Sequence, residues 1–171
     1  MNVFEFAMQM EEDGKSYYEN LASQTPLPGL KTIFSELAVD EQKHYDIFQK
    51  LKEGTSVSDM PHSAAIEGAK NVFETMPKSA ITLKGIEASA AAYDHAMQME
   101  SESFKFYERA AKEEKNSETK KLLLRIADEE RMHYNILENI YNFINAPNQS
   151  LDWAEFSNLG EFRQFGRETD V

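Results

Sequence analysis

The chain has 171 residues, 41% hydrophobic and 28% charged, enough to build one domain around its own core. It contains no cysteine, which excludes disulfides, a catalytic thiol, iron–sulfur clusters and any cysteine-ligated iron site. A formal net charge of −12 argues against nucleic acid and anionic membrane as partners, because phosphate binding needs clustered Lys and Arg.

The beginning, Met1-Asn2-Val3-Phe4-Glu5, has no basic region leading into an apolar run, and no stretch reaches the roughly 18 apolar residues of a membrane span. A cytoplasmic protein with no membrane contact is therefore expected. Apolar residues recur at three and four positions, glycine is sparse, and no alternating β-branched run occurs, so the chain reads as all-α. The first helix is predicted over residues 3–24, stopping before Thr25-Pro26, and the second over 30–53, stopping at Gly54. Their short joint makes them antiparallel neighbours. Residues 54–79 form a long crossover that contains Pro61 and Pro77, with a short helix predicted over 63–76. The third long helix is predicted over 80–114 and the fourth over 117–145, with a joint too short for parallel helices. The tail, 146–171, carries Pro147, Trp153, Phe156, Phe162 and Phe165 and is expected to be irregular but packed. The whole reads as a single four-helix domain of two antiparallel hairpins, 3–53 and 80–145, joined by the crossover.

The two hairpins are copies of one another. A shift of 89 positions lays Ala7-Met8-Gln9-Met10-Glu11 on Ala96-Met97-Gln98-Met99-Glu100, and Tyr18-Glu19 on Tyr107-Glu108. The same shift lays Asp40-Glu41-Gln42-Lys43-His44-Tyr45 on Glu129-Glu130-Arg131-Met132-His133-Tyr134. Each half thus has one Glu on its first helix and a Glu-x-x-His on its second.

Helical periodicity assigns these residues to the core face. In the fourth helix Leu123, Ile126, Glu130, His133, Leu137, Ile140 and Ile144 step by three and four, and in the second Phe34, Leu37, Glu41, His44, Phe48 and Leu51 do the same. The first shows Ala7, Glu11, Gly14, Tyr18 and Leu21, and the third Ala96, Glu100, Ser103, Tyr107 and Ala110. No Lys or Arg lies on any of these stripes. Four carboxylates inside a bundle require protons or cations, since each buried unpaired charge costs several kcal/mol. Two divalent ions would cancel four negative charges. Oxygen-rich ligation with one imidazole per ion suits iron or manganese better than zinc. A Glu from each of two helices with a Glu-x-x-His from each of the other two is the ligand set of di-iron and di-manganese carboxylate bundles. A lone Glu-x-x-His carries little information, but two inward-facing copies, each with a Glu 30 residues upstream, make a purely structural role the weaker reading.

Other polar and soft residues near the stripes have two readings each. The Tyr18 and Tyr107 hydroxyls can bond ligand carboxylates, against the alternative of aromatic packing, and Asp40 and Glu129 can accept the free N–H of a ligand imidazole across the bundle, against the alternative of solvated surface acid. His95 lies about 140° around its helix from Glu100, and His62 falls in the crossover; neither suits ligation. Met8 and Met97 read as core filler.

With these residues in place, the chain resembles the rubrerythrin branch of the ferritin-like superfamily over both hairpins, and Trp153-Ala154-Glu155-Phe156 is similar to the segment that follows the bundle in many members. The resemblance implies Glu11 and Glu100 as terminal carboxylate ligands, Glu41 and Glu130 as bridging ligands, and His44 and His133 as one imidazole per metal. It implies two iron ions, hydrogen peroxide or O2 as substrate, a homodimer, and, since no cysteine is available for a rubredoxin domain, an external electron donor such as rubredoxin. Many rubrerythrins add a Glu one turn after the third-helix ligand; here that position is Ser103, with Gly14 as its repeat partner. A ferritin-type ferroxidase that handles iron, a di-manganese catalase-like enzyme, and a structural bundle without metal are the competing functional readings.

Overall fold

The computed structural model describes residues 2–57, 60–75 and 90–145 of the chain. Among them its regular structure is all helix, with α1 (Val3–Gln24), α2 (Pro28–Lys52), α3 (Ala64–Thr75), α4 (Ala90–Glu113) and α5 (Ser117–Asn145) in chain order. The expected tail, Pro77, and positions 80–89 of the expected third helix lie outside the described residues.

Local chemistry sets the helix ends. Asn2 caps α1 by accepting from the Phe4 N–H at 3.1 Å, while Glu5 reaches back to the Asn2 N–H at 3.1 Å, a capping box. The second helix starts two residues before the predicted Leu30, because Pro28 sits in its first turn, where a missing N–H costs nothing and the fixed φ is already helical. It ends at Gly54, which takes φ +74°. There the Gly54 N–H reaches Leu51 O at 3.1 Å and the Thr55 N–H reaches Lys50 O at 2.9 Å, the Schellman arrangement. In the crossover the Ser63 hydroxyl accepts from the Ile66 N–H at 3.1 Å and so caps α3. Asn116 caps α5 through the N–H groups of Glu118 and Thr119.

The helices α1 and α2 pair along their length, as do α4 and α5, and the hairpins meet through α1 against α4 and α2 against α5. The crossover helix α3 lies on α2 and α5. The apolar core is in two parts. One contains Leu30, Phe34, Leu37, Tyr93, Leu137 and Ile140; the other contains Ala7, Phe48, Met60, Leu123 and Ile126. Every long helix passes from one part to the other, and on each the crossing point is the segment bearing the conspicuous Glu or Glu-x-x-His. A layer of acid and imidazole is thereby sealed between two apolar plugs, whose large aliphatic and phenylalanine side chains each gain about 1.5–3 kcal/mol from burial. No described helix is long and apolar enough to cross a membrane.

Candidate metal centre

Glu11, Glu41, His44, Glu100, Glu130 and His133 are all buried, and the fold brings them together. They form two overlapping groups, Glu11, Glu41, His44 and Glu130 on one side and Glu41, Glu100, Glu130 and His133 on the other, with one potential ligand atom per residue lying within 4.8 Å of the others. Glu41 and Glu130 belong to both groups. The residues that the sequence repeat pairs are therefore the residues that a pseudo-twofold pairs in space.

Both imidazoles turn Nδ1 toward the middle. His44 Nδ1 stands 2.9 Å from Glu130 Oε1, 3.5 Å from Glu11 Oε2 and 4.0 Å from Glu41 Oε2. His133 Nδ1 stands 3.2 Å from Glu130 Oε2, 3.5 Å from Glu41 Oε1 and 3.8 Å from Glu100 Oε1. The outward nitrogens meet acid across the bundle, His44 Nε2 at 3.2 Å from Glu129 Oε2 and His133 Nε2 at 3.4 Å from Asp40 Oδ2. A carboxylate against Nε2 keeps a proton there and leaves the Nδ1 lone pair for the centre. Of the two readings open for Asp40 and Glu129, the structure has the cross-bundle one. The tyrosines cross over as well: the Tyr18 hydroxyl donates to Glu100, and the Tyr107 hydroxyl donates to Glu11. His95 and His62 are exposed and take no part in the cluster.

The electrostatics are those of carboxylates and imidazoles crowded into one buried layer. Burial, then Glu130 and Glu11, push the Glu41 carboxyl far above the ordinary carboxylate range, and burial and Glu130 do the same to Glu100. Burial alone would lower both imidazoles, yet the surrounding carboxylates outweigh it and raise them well above their usual value. Burial would likewise raise Glu130, but the two histidines outweigh it and hold it low. The Tyr18 and Tyr107 hydroxyls are pushed up by burial and by the neighbouring acid. Even with this pairing, Glu41 Oε1, Glu130 Oε1 and His44 Nδ1 are sealed from solvent without a well-formed hydrogen bond. Buried polar atoms are rarely left so, and such atoms on Glu41, Glu130 and His44 within one sealed cluster fit a cation. The donor set, four carboxylates and two imidazoles, suits iron or manganese.

Gly14 borders the cluster, where an added Cβ would stand 3.4 Å from Glu41 Cδ and 3.5 Å from its Oε2. Its repeat partner Ser103 is half-buried. Neither position supplies another carboxylate. Ser63 and Lys43 were not singled out in the sequence, yet both bond Asp40 behind His133. The signal for Lys43 was a break in the repeat, whose other half has Met132.

A paired-hairpin helical bundle with a buried layer of four glutamates and two histidines is a ferritin-like carboxylate protein. The family model described as Rubrerythrin matches residues 2–141, and the chain belongs to that family. Comparison with curated proteins and with solved structures returned no match.

Proposed function

We propose that Glu11, Glu41, His44 and Glu130 hold one iron ion, that Glu41, Glu100, Glu130 and His133 hold a second, and that the chain is an oxidoreductase reducing hydrogen peroxide, or O2. The observation that carries this reading is the sealed layer of shared and unshared ligand atoms, including buried acceptors that no proton donor satisfies. Glu41 and Glu130, common to both groups, would be shared by the two ions, and Glu11 and Glu100 would each serve one. Two ferrous ions held there would supply the two electrons that reduce hydrogen peroxide to water, or O2 to peroxide.

The protein's part is to orient and to exclude. Tyr18 and Tyr107 fix the terminal carboxylates by their hydroxyls, Glu129 bonds the outward nitrogen of His44, and Asp40 stands 3.4 Å behind that of His133. The apolar plugs on either side keep bulk water from the layer. Gly14 leaves the Glu41 carboxylate space on its α1 side. The returning electrons come from a separate donor such as rubredoxin, and a homodimer with two irons per chain is the expected form.

Stopped-flow absorbance of the anaerobic diferrous protein, mixed separately with peroxide and with O2, tests the reading. Faster oxidation by peroxide, with turnover only when a reductant is supplied, supports it. Faster oxidation by O2 with continued iron uptake would instead establish a ferroxidase. Peroxide disproportionation without reductant by the manganese form would establish a catalase.

A further inference from the structure

The two imidazoles are related by the repeat, but their surroundings are not. Behind His44 stands Glu129, whose side chain is 12% exposed and which, among the described residues, pairs with His44 alone. Behind His133 stands Asp40, fully buried and held from two further directions. Lys43 donates to Asp40 Oδ1 at 2.7 Å, and the Ser63 hydroxyl donates to Oδ2, the oxygen that faces His133. Lys43 also donates to the His62 carbonyl at 3.2 Å. Both anchors therefore engage the crossover, and Ser63 accepts from the Ile66 N–H that opens α3. The second half of the repeat has Met132 in place of Lys43, so Glu129 has no lysine to match.

From this asymmetry we propose that Ser63 is a positioning residue for one of the two metal ions: it acts through Asp40 on the ion held by His133 and leaves the ion held by His44 untouched. The inference rests on the two-metal reading above. His133 Nε2 approaches Asp40 at 3.4 Å without the alignment of a full hydrogen bond. Where Asp40 is held thus decides whether that bond closes, and Ser63 and Lys43 hold it. An imidazole whose outward N–H is bound presents its other nitrogen in a fixed direction with raised basicity, and loss of such a partner costs about 10–100-fold in metal affinity. Coupling is reciprocal. An ion on His133 therefore tightens the Asp40 and Ser63 contacts and steadies the first turn of α3, whereas behind an ion on His44 stands Glu129, which bonds His44 alone among the described residues.

The test is a cobalt(II) titration of the metal-free full chain, followed by visible absorption, in backgrounds that isolate each position. Ser63→Ala in a His44→Ala background, where only the His133 position remains, is expected to weaken binding about 10–100-fold. In a His133→Ala background the same substitution is expected to change nothing, and Ser63→Thr is expected to restore most of the affinity. A second readout is amide exchange at Ile66, which cobalt should slow in the native chain and in His44→Ala but not in His133→Ala. Equal losses in both backgrounds, or no loss in either, would overturn the role given to Ser63 while leaving the two-metal centre standing. Failure of the native chain to bind cobalt, iron or manganese would overturn both.

Discussion

Gly14 is the smallest residue bordering the acidic layer, and it faces the carboxylate shared by both ligand groups. Replacing a helical glycine by alanine removes backbone freedom from the unfolded chain and gains about 0.5–1 kcal/mol where the new methyl fits. At Gly14 the methyl would meet Glu41 Cδ at 3.4 Å, ordinary contact that still closes one side of the carboxylate. Gly14→Ala is therefore expected to raise the metal-free unfolding midpoint while slowing oxidation of the loaded site by peroxide, which paired denaturation and stopped-flow measurements will show. The titration of the site follows from its charges. In the metal-free protein His44, His133, Glu41 and Glu100 hold protons to higher pH than usual, and a metal ion must displace them. Binding should thus release protons, and affinity should rise with pH; calorimetry in buffers of differing ionisation enthalpy measures the release. A pH-independent affinity would contradict the assignment. Asp40 works in the opposite sense. Burial would raise it, but His133, Lys43 and Ser63 hold it at about 2, so it stabilises the fold above the unfolded value of 3.8 and loses that contribution as pH falls through 2. The six clustered residues were legible in sequence because the repeat presented each of them twice. Ser63 was not, because it comes from the unrepeated crossover and reaches the centre only through Asp40.

At the scale of elements, the boundaries follow from a few backbone positions. Gly54 ends α2 with a positive φ that a side chain resists, at a cost of roughly 1–2 kcal/mol for a residue with a Cβ. Gly54→Ala is expected to lower the melting temperature by about 2–8 °C, at the roughly 2–4 °C per kcal/mol of a chain this size, without altering metal stoichiometry. Periodicity located both ends of α1 and the start of α5 to the residue, since a cap or a proline stands at each. It missed the first two residues of α2 because Pro28 and Gly29 carry no apolar signal, although proline favours a first turn. The duplication did more than periodicity. It fixed that each hairpin was one unit, and two copies of a unit with half a polar site must face each other to bury it.

For the whole molecule, the polar layer interrupts what would otherwise be one continuous core. Its four carboxylates and two imidazoles cost stability when metal-free, a cost that two divalent ions would offset by neutralising them. A ligand that binds only the folded state adds about 2.7 kcal/mol at a hundredfold excess over its dissociation constant, so metal-loaded protein should unfold at distinctly higher denaturant than metal-free protein. A bundle that uses this layer for structure alone would show no such difference. The most direct test is an anaerobic equilibrium titration of the metal-free chain with ferrous iron, set beside the same titration of Glu41→Ala. The account predicts two irons per native chain and loss of both in the variant, because Glu41 belongs to both ligand groups. No bound iron in the native chain, or two irons undiminished in Glu41→Ala, would contradict it.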